Sequence, residues 1–356
     1  MVNASAEITA RFPTPVGGFP DSRDRVPSIL FAILYLCIVP VGAMRLIRRE
    51  SRTWVHIGTC TFALERIVVY SLRAWQSFDD GHRYAAGLLE YTQMSFACGY
   101  LVVTQDLIPL FRVLLINYTN GPDEIESVHR DPACDGQAMS ELPPDDPKRR
   151  GRLRLWTFLF NISFITVNVP NLVQGSMYDN AVVQQKAADA IQILRYMATS
   201  AGLLLSIALL VWIYLWRDWC WPRPAVLRLC QILMLLLPIS FYRLVAMRHY
   251  IPSPDYIGPG SQSTTTDHVI FYVLHGLPEW LAATLLITPN TRRMFRAGLD
   301  GDWRRRDGQQ KYSCGERRKA KKARYEHEMV HTTRTTTASR TELKERTSTS
   351  TVDRIV

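Results

Sequence analysis

Apolar residues in this chain are gathered into seven separate runs, each close to the length that crosses a bilayer, and that grouping constrains the fold more than any other feature. A helix rises ~1.5 Å per residue, so about 20 apolar residues cover ~30 Å of hydrocarbon. Backbone polar groups find no water at that depth, which leaves helices and closed barrels as spanning structures. The runs are too long and continuous for barrel strands, which alternate in polarity. They lie at 28–46, 54–74, 88–115, 153–174, 190–215, 225–247 and 268–288. The pattern predicts an all-α integral membrane seven-helix bundle. Bulk composition conceals it: the 356 residues carry a net charge of +10, and mean hydropathy is −0.05, values that suit a soluble basic protein. The charge sits between the runs and in the C-terminal tail.

Short loops rich in Lys and Arg stay cytoplasmic. The first loop has Arg45, Arg48, Arg49 and Arg52, and the third ends in Lys148, Arg149, Arg150, Arg152 and Arg154. The fifth has Arg217 and Arg223, and Arg292, Arg293 and Arg296 follow the seventh run. The even loops are poorer, with Arg83, Lys186 and Arg248. Odd loops inside place the N-terminus outside and the C-terminus in the cytosol, and the plasma membrane is the expected location.

Residues 1–27 are polar and Pro-rich, with no basic start leading into an apolar core. The expectation is an extracellular segment without a cleavable signal, the first run serving for insertion. Asn3-Ala4-Ser5 is a glycosylation sequon on that side, which makes Asn3 the candidate modification site. The loop at 117–152 and the Thr/Ser-rich tail at 291–356 read as largely disordered. Basic clusters at 304–306 and 317–322 predict that the tail binds anionic lipid. No nucleic-acid partner is expected. Cys37, Cys60, Cys98 and Cys230 fall in runs, and Cys134, Cys220 and Cys314 fall on the cytosolic side, so no disulfide framework is expected. Cys220, between Trp219 and Trp221, is a candidate for palmitoylation.

An ionised side chain in a span costs roughly 2.5–3.5 kcal/mol on insertion scales, so it turns inward and takes a partner. The second run holds Glu65, Arg66, Tyr70 and Arg73, the last three sharing one helix face. The third holds Glu90, Gln93, Tyr100 and Asp106, the fifth Arg195 and the sixth Arg243. The seventh carries His268, Tyr272, His275 and Glu279 as a polar stripe on an otherwise apolar helix. Alternating run direction puts Arg73, Glu90, Gln93, Arg195, Arg243, His268, Tyr272 and His275 in the outer half, with Glu65, Arg66, Glu279 and Asp106 near the middle. This predicts a cavity that opens outward above an ion-paired floor, with Arg66 opposite Glu279. The candidate ligand-binding residues are Arg66, Tyr70, Arg73, Gln93, Arg195, Arg243, Tyr272, His275 and Glu279. Their basic surplus favours an amphipathic, anionic, lipid-like small molecule alongside the membrane lipids. Competing accounts stand beside this one. Arg73, Arg195 and Arg243 lie close enough to the interface to snorkel, Glu65 and Arg66 could be structural pairs, and a ligand-free hydrogen-bond network would also explain the stripe. Pro109, Pro170, Pro238 and Pro278 can kink their runs.

His275 and Glu279 could hold a metal, with His268 as a strained third ligand. A catalytic zinc needs three protein ligands and an open position, and an intramembrane metal-dependent lipid hydrolase is the third-placed reading. No nucleophile elbow, phosphate-binding glycine loop or nucleotide fingerprint occurs, so no enzymatic activity, cofactor or resident metal is expected.

The segment Ser240-Phe241-Tyr242-Arg243-Leu244-Val245, followed after a loop by Phe271-Tyr272-Val273-Leu274-His275-Gly276-Leu277-Pro278, resembles the last two spans of the fungal lipid-translocating exporter family. That family is associated with resistance to 7-aminocholesterol and sphingoid bases. Leu64-Glu65-Arg66-Ile67-Val68-Val69-Tyr70-Ser71-Leu72-Arg73 is similar to its Glu…Tyr…Arg pattern. His275 stands where the family has an acidic residue. The resemblance implies lipid export or lipid-stress sensing. The runner-up is a G-protein-coupled-receptor-like signalling protein, although no Asp-Arg-Tyr closes the third run and no Asn-Pro-x-x-Tyr closes the seventh.

Overall fold

A computed structural model describes residues 11–48, 50–78, 81–119, 146–216, 223–253, 256, 258–299 and 301. Asn3, most of the third loop, Cys134, Cys220, Cys314 and the basic clusters of the tail lie outside the described residues.

Seven long helical segments dominate the described residues. They begin with α1 (Arg25–Ile47), α2 (Ile57–Phe78), α3 (Ala86–Tyr118) and α4 (Pro147–Gly175). A short α5 (Tyr178–Val183) precedes α6 (Gln185–Leu215), and α7 is Arg223–Ala246. The last segment runs as α8 (Thr265–Phe271), a π-helical turn (Tyr272–Gly276) and α9 (Leu277–Ile287), before a short α10 (Thr291–Phe295). Six segments are long and apolar enough to cross a membrane. α2 has the length, at 22 residues, but carries Glu65, Arg66 and Arg73. The all-α expectation holds, and the chain is a multi-pass helical membrane protein.

Local chemistry sets several boundaries. α4 starts at Pro147 rather than near 153, because Asp146 caps it, accepting from the Arg149 N–H at 2.9 Å, and the proline occupies a first-turn position where no N–H is needed. Hydropathy could not see this polar first turn. α8 opens with a capping box between Thr264 and Asp267. The π turn ends just before Pro278, whose missing N–H and bulky ring disrupt regular helix pairing one turn back.

α1 packs on α2, α2 on α3, α3 on α4, α4 on α6, α6 on α7, α7 on α9 and α9 on α1, which closes a ring. α3 also meets α6 and α7. It is the most enclosed helix, with 72% of its most apolar window buried against 17% for α4. The polarity is that of a protein sheathed in hydrocarbon. Leu30, Trp156 and Leu204 are more than half exposed, while Arg66, Arg73, Arg195 and Arg243 are fully buried. The three arginines for which snorkelling was an alternative therefore point inward.

The N-terminal segment, which its sequence marks only as polar and Pro-rich, packs against the helices: residues 12–20 are buried, held by Gln93 of α3 and Arg195 of α6 at one end of the ring. Phe12 and Pro13 pair antiparallel with Ile251 and Tyr250, the two short strands being β1 (Phe12–Pro13) and β2 (Tyr250–Ile251). The segment tolerates burial because Pro13, Pro15 and Pro20 have no N–H to satisfy, and Phe12, Val16 and Phe19 supply apolar surface. Gly17 and Gly18 take φ of +82° and +66°, a turn that an L side chain would strain.

Candidate functional site

Among the described residues, two ion-paired clusters lie inside the ring, together with two arginines, Arg195 and Arg243, that have no carboxylate partner. The deeper cluster centres on Arg66. Its Nε donates to Glu279 Oε2 at 2.8 Å and its Nη2 to Glu279 Oε1 at 2.7 Å, a bidentate fork between two fully buried side chains. Nη1 donates to Glu65 Oε2 at 2.8 Å and to Ser95 Oγ, and Ser95 Oγ in turn donates to Glu65 Oε1. The guanidinium lies 4.6 Å from the Phe62 ring centre. It fits because α3 has no side chain at Gly99, where a Cβ would collide with Arg66 Nη2. Arg66 and Glu279 thus face each other as their depth and helix faces predicted.

The second cluster lies under the N-terminal segment. Arg73 meets Asp24 twice, Nη2 to Oδ2 at 3.2 Å and Nε to Oδ1 at 3.3 Å. It also donates to the Gly17 carbonyl. Tyr272 donates to Asp24 Oδ1 at 2.7 Å and lies 2.7 Å from Ser28 Oγ. Gln93 holds the Val16 N–H and carbonyl at 2.9 and 3.2 Å, and Gln262 accepts from the Gly17 N–H at 3.0 Å. Arg195 donates to the carbonyls of Thr14 at 2.8 Å and Met247 at 2.9 Å, to Gln192 at 2.8 Å and to the Tyr178 hydroxyl at 3.2 Å. Between the clusters stack Phe31, Tyr35, Tyr70 and Tyr272, with ring centres 5.2 to 6.4 Å apart.

Arg243 differs from both. It is 1% exposed, and Nη1 donates to the Phe96 carbonyl at 3.0 Å. Its Nε has no hydrogen-bond partner, and among the described residues no carboxylate lies within ion-pair distance. Nearby, His275 packs edge-on against Phe96 at 5.5 Å and Tyr242 at 6.3 Å, with both ring nitrogens unpartnered.

All nine candidate ligand-binding residues therefore line the ring interior, but most are already engaged by the chain itself. Other expectations change. Asp106 is not part of the floor: it accepts from Thr59 Oγ1 at 2.5 Å in the first turn of α2, where Gly58 gives it room. Glu90 lies at the other end of α3 and accepts from the Asp179 N–H at the start of α5. The proposed metal trio does not assemble. His275 Nδ1 is 4.0 Å from Glu279, whereas His268 turns to Asp24 at 3.2 Å and Asp21 at 3.6 Å. Asp21, Asp24 and His268 have ligand atoms within 4.8 Å of one another, but both oxygens of Asp24 face the Arg73 guanidinium, which competes with a cation. The sequence reading missed Asp24, Ser28 and Ser95. Asp24 ends a single 3-10 turn (Ser22–Asp24) that leads into α1, too short for any period to mark an inward face; its one local signal is the Asp21–Asp24 capping box.

No protein-family model, no curated protein and no solved structure matches this chain.

Proposed function

We propose that the chain crosses the membrane seven times, with its N-terminus outside and its C-terminus cytosolic, and binds an amphipathic, anionic, lipid-like ligand from the outer side, for lipid export or lipid sensing. α2 is included as a span because its Arg66 and Arg73 are buried and paired, so their charge does not face lipid. The loop-by-loop excess of Lys and Arg supports the orientation. The observation that carries the ligand reading is the charge balance at the end closed by residues 12–20. Arg195 and Arg243 are both buried there, and neither has a carboxylate partner among the described residues. Buried cations of this kind favour an anionic guest. On this reading residues 12–20 occupy the mouth and must move for the ligand to enter, and the basic tail holds anionic lipid on the opposite side. The resemblance to the lipid-translocating exporters points the same way.

The decisive experiment reconstitutes the full chain in liposomes and measures flip of labelled anionic lysolipids and sphingoid bases together with their binding. Binding with transport supports export, and binding without transport supports sensing. Absence of both overturns the reading. Protease added to intact cells should spare a C-terminal tag, and Asn3→Gln should remove any glycan; loss of the tag would reverse the orientation.

A further inference from the structure

Among the described residues, and apart from Arg150 in the first turn of α4, four arginines are fully buried, and three of them are saturated. Arg66 has two carboxylates, Arg73 has Asp24, and Arg195 has two carbonyls, an amide oxygen and a phenol. Arg243 has one carbonyl. Its guanidinium lies 5.9 Å from the ring centre of Tyr100, which is 1% exposed and has its hydroxyl beside those of Ser240 and Thr199. Thr199, fully buried on α6, and Ser240, 1% exposed on α7, are close enough to the Tyr100 hydroxyl to exchange hydrogen bonds with it, but none of the three brings a negative charge to Arg243. The Arg243 Nε–H is a donor with no acceptor, and the Tyr100 and Thr199 hydroxyls each carry a proton that can turn toward an anion. Buried donors are seldom left unpaired, and a cluster of them around a cation is what an anion requires.

We propose that Arg243 centres an anion-binding site that takes one negatively charged group (a carboxylate, a phosphate oxygen or a halide) against its guanidinium and the hydroxyls of Tyr100 and Thr199. This deepens the reading above and rests on it only for the source of the anion. The site lies below the N-terminal segment: Phe96, whose carbonyl holds Arg243, is about one helical turn along α3 from Gln93, which holds Val16. The charged groups in electrostatic reach of this region are Arg195, Arg66, Arg73, Glu65 and Glu279. They supply the competing account, in which the extra carboxylate of the Glu65–Arg66–Glu279 cluster balances Arg243 at longer range. The two accounts differ in how Arg243→Gln behaves. If the site waits for an anion, the variant loses anion dependence and gains stability in its absence. If Arg243 balances the carboxylates, the variant is less stable under all conditions.

The test uses the full chain in neutral detergent, freed of bound lipid, at fixed ionic strength. Thermal midpoints are compared in sodium gluconate, sodium chloride, sodium phosphate, and gluconate with a lysophosphatidic acid. Chloride, phosphate or the lysolipid should raise the wild-type midpoint saturably over gluconate. Arg243→Gln should abolish the rise and be at least as stable as wild type in gluconate. Tyr100→Phe, which keeps the charge and the packing, should raise the apparent Kd several-fold, and so reads the site independently of any change in charge. A response to free chloride or phosphate alone supports the site and removes the lipid reading, and a response confined to the lysolipid supports both. Equal midpoints in all four solutions would overturn the site, as would an Arg243→Gln variant that keeps the response or is less stable in gluconate.

Discussion

The two ion-paired clusters look alike in a list of contacts but are built in opposite ways. At Arg66 one cation is shared by two carboxylates, and all three charged groups come from helices. At Arg73 one cation has one carboxylate, and its remaining contacts include carbonyls of a non-helical segment. Removing a partner therefore has different consequences. At the deep cluster the cation is irreplaceable and each carboxylate has a deputy. At the mouth Asp24 has no deputy.

This asymmetry sets an order of effects. Arg66→Gln should be the most damaging, because it leaves Glu279 fully buried with no cation in contact; breaking a buried pair in this way costs about 3–5 kcal/mol. The checks are thermal unfolding in detergent and the folded yield. Asp24→Asn should come next, at about 2–4 kcal/mol, since Arg73 keeps only neutral partners. If it proves milder than Glu279→Gln, the comparison fails. Glu279→Gln should cost about 2 kcal/mol, because a glutamine oxygen still accepts from Arg66 and Glu65 retains the charge balance. Glu65→Gln should cost less than about 1 kcal/mol, as Glu65 is 30% exposed and Glu279 remains. A double variant joining Asp24→Asn to Glu65→Gln should be additive within about 0.5 kcal/mol, since the clusters share no direct partner. Strong coupling would show that the aromatic stack between them transmits strain.

The deep cluster was legible in the sequence because helices write their geometry into spacing. Arg66, Tyr70 and Arg73 share a face, the seventh run repeats His268, Tyr272, His275 and Glu279, and comparing depths was enough to pair Arg66 with Glu279. The mouth was not legible. Residues 12–24 follow no helical period, so nothing in their order announces that Asp24 reaches Arg73 or that Thr14 offers its carbonyl to Arg195. Snorkelling stayed open for the same reason. An arginine near a span end is ambiguous until its partner is known; for Arg73, and in part for Arg195, the partners lie in the segment that has no period, whereas Arg243 is held by a backbone carbonyl on α3. The start of α4 was lost differently, because a helical turn rich in Lys and Arg has no hydropathic signature. The metal trio failed because the four-residue rhythm places side chains on one face without fixing which neighbour each meets.

The closure of the mouth also dictates an order of biogenesis. Residues 12–24 are made before the helices, yet the groups that hold them arrive late: Gln93 on α3, Arg195 on α6, Gln262 just before α8 and Tyr272 in the last helical segment. Until the ribosome has passed residue 272, the N-terminal segment has no finished seat, and the Asp24–Arg73 pair lacks the tyrosine that joins it. A stretch that emerges before all the helices is thus docked only after the last of them, and its docking reports that every helix has been delivered. A nascent chain halted before the last helix should expose residues 12–20 to protease, and the completed chain should protect them, so that one cleavage site reads out whether assembly is finished.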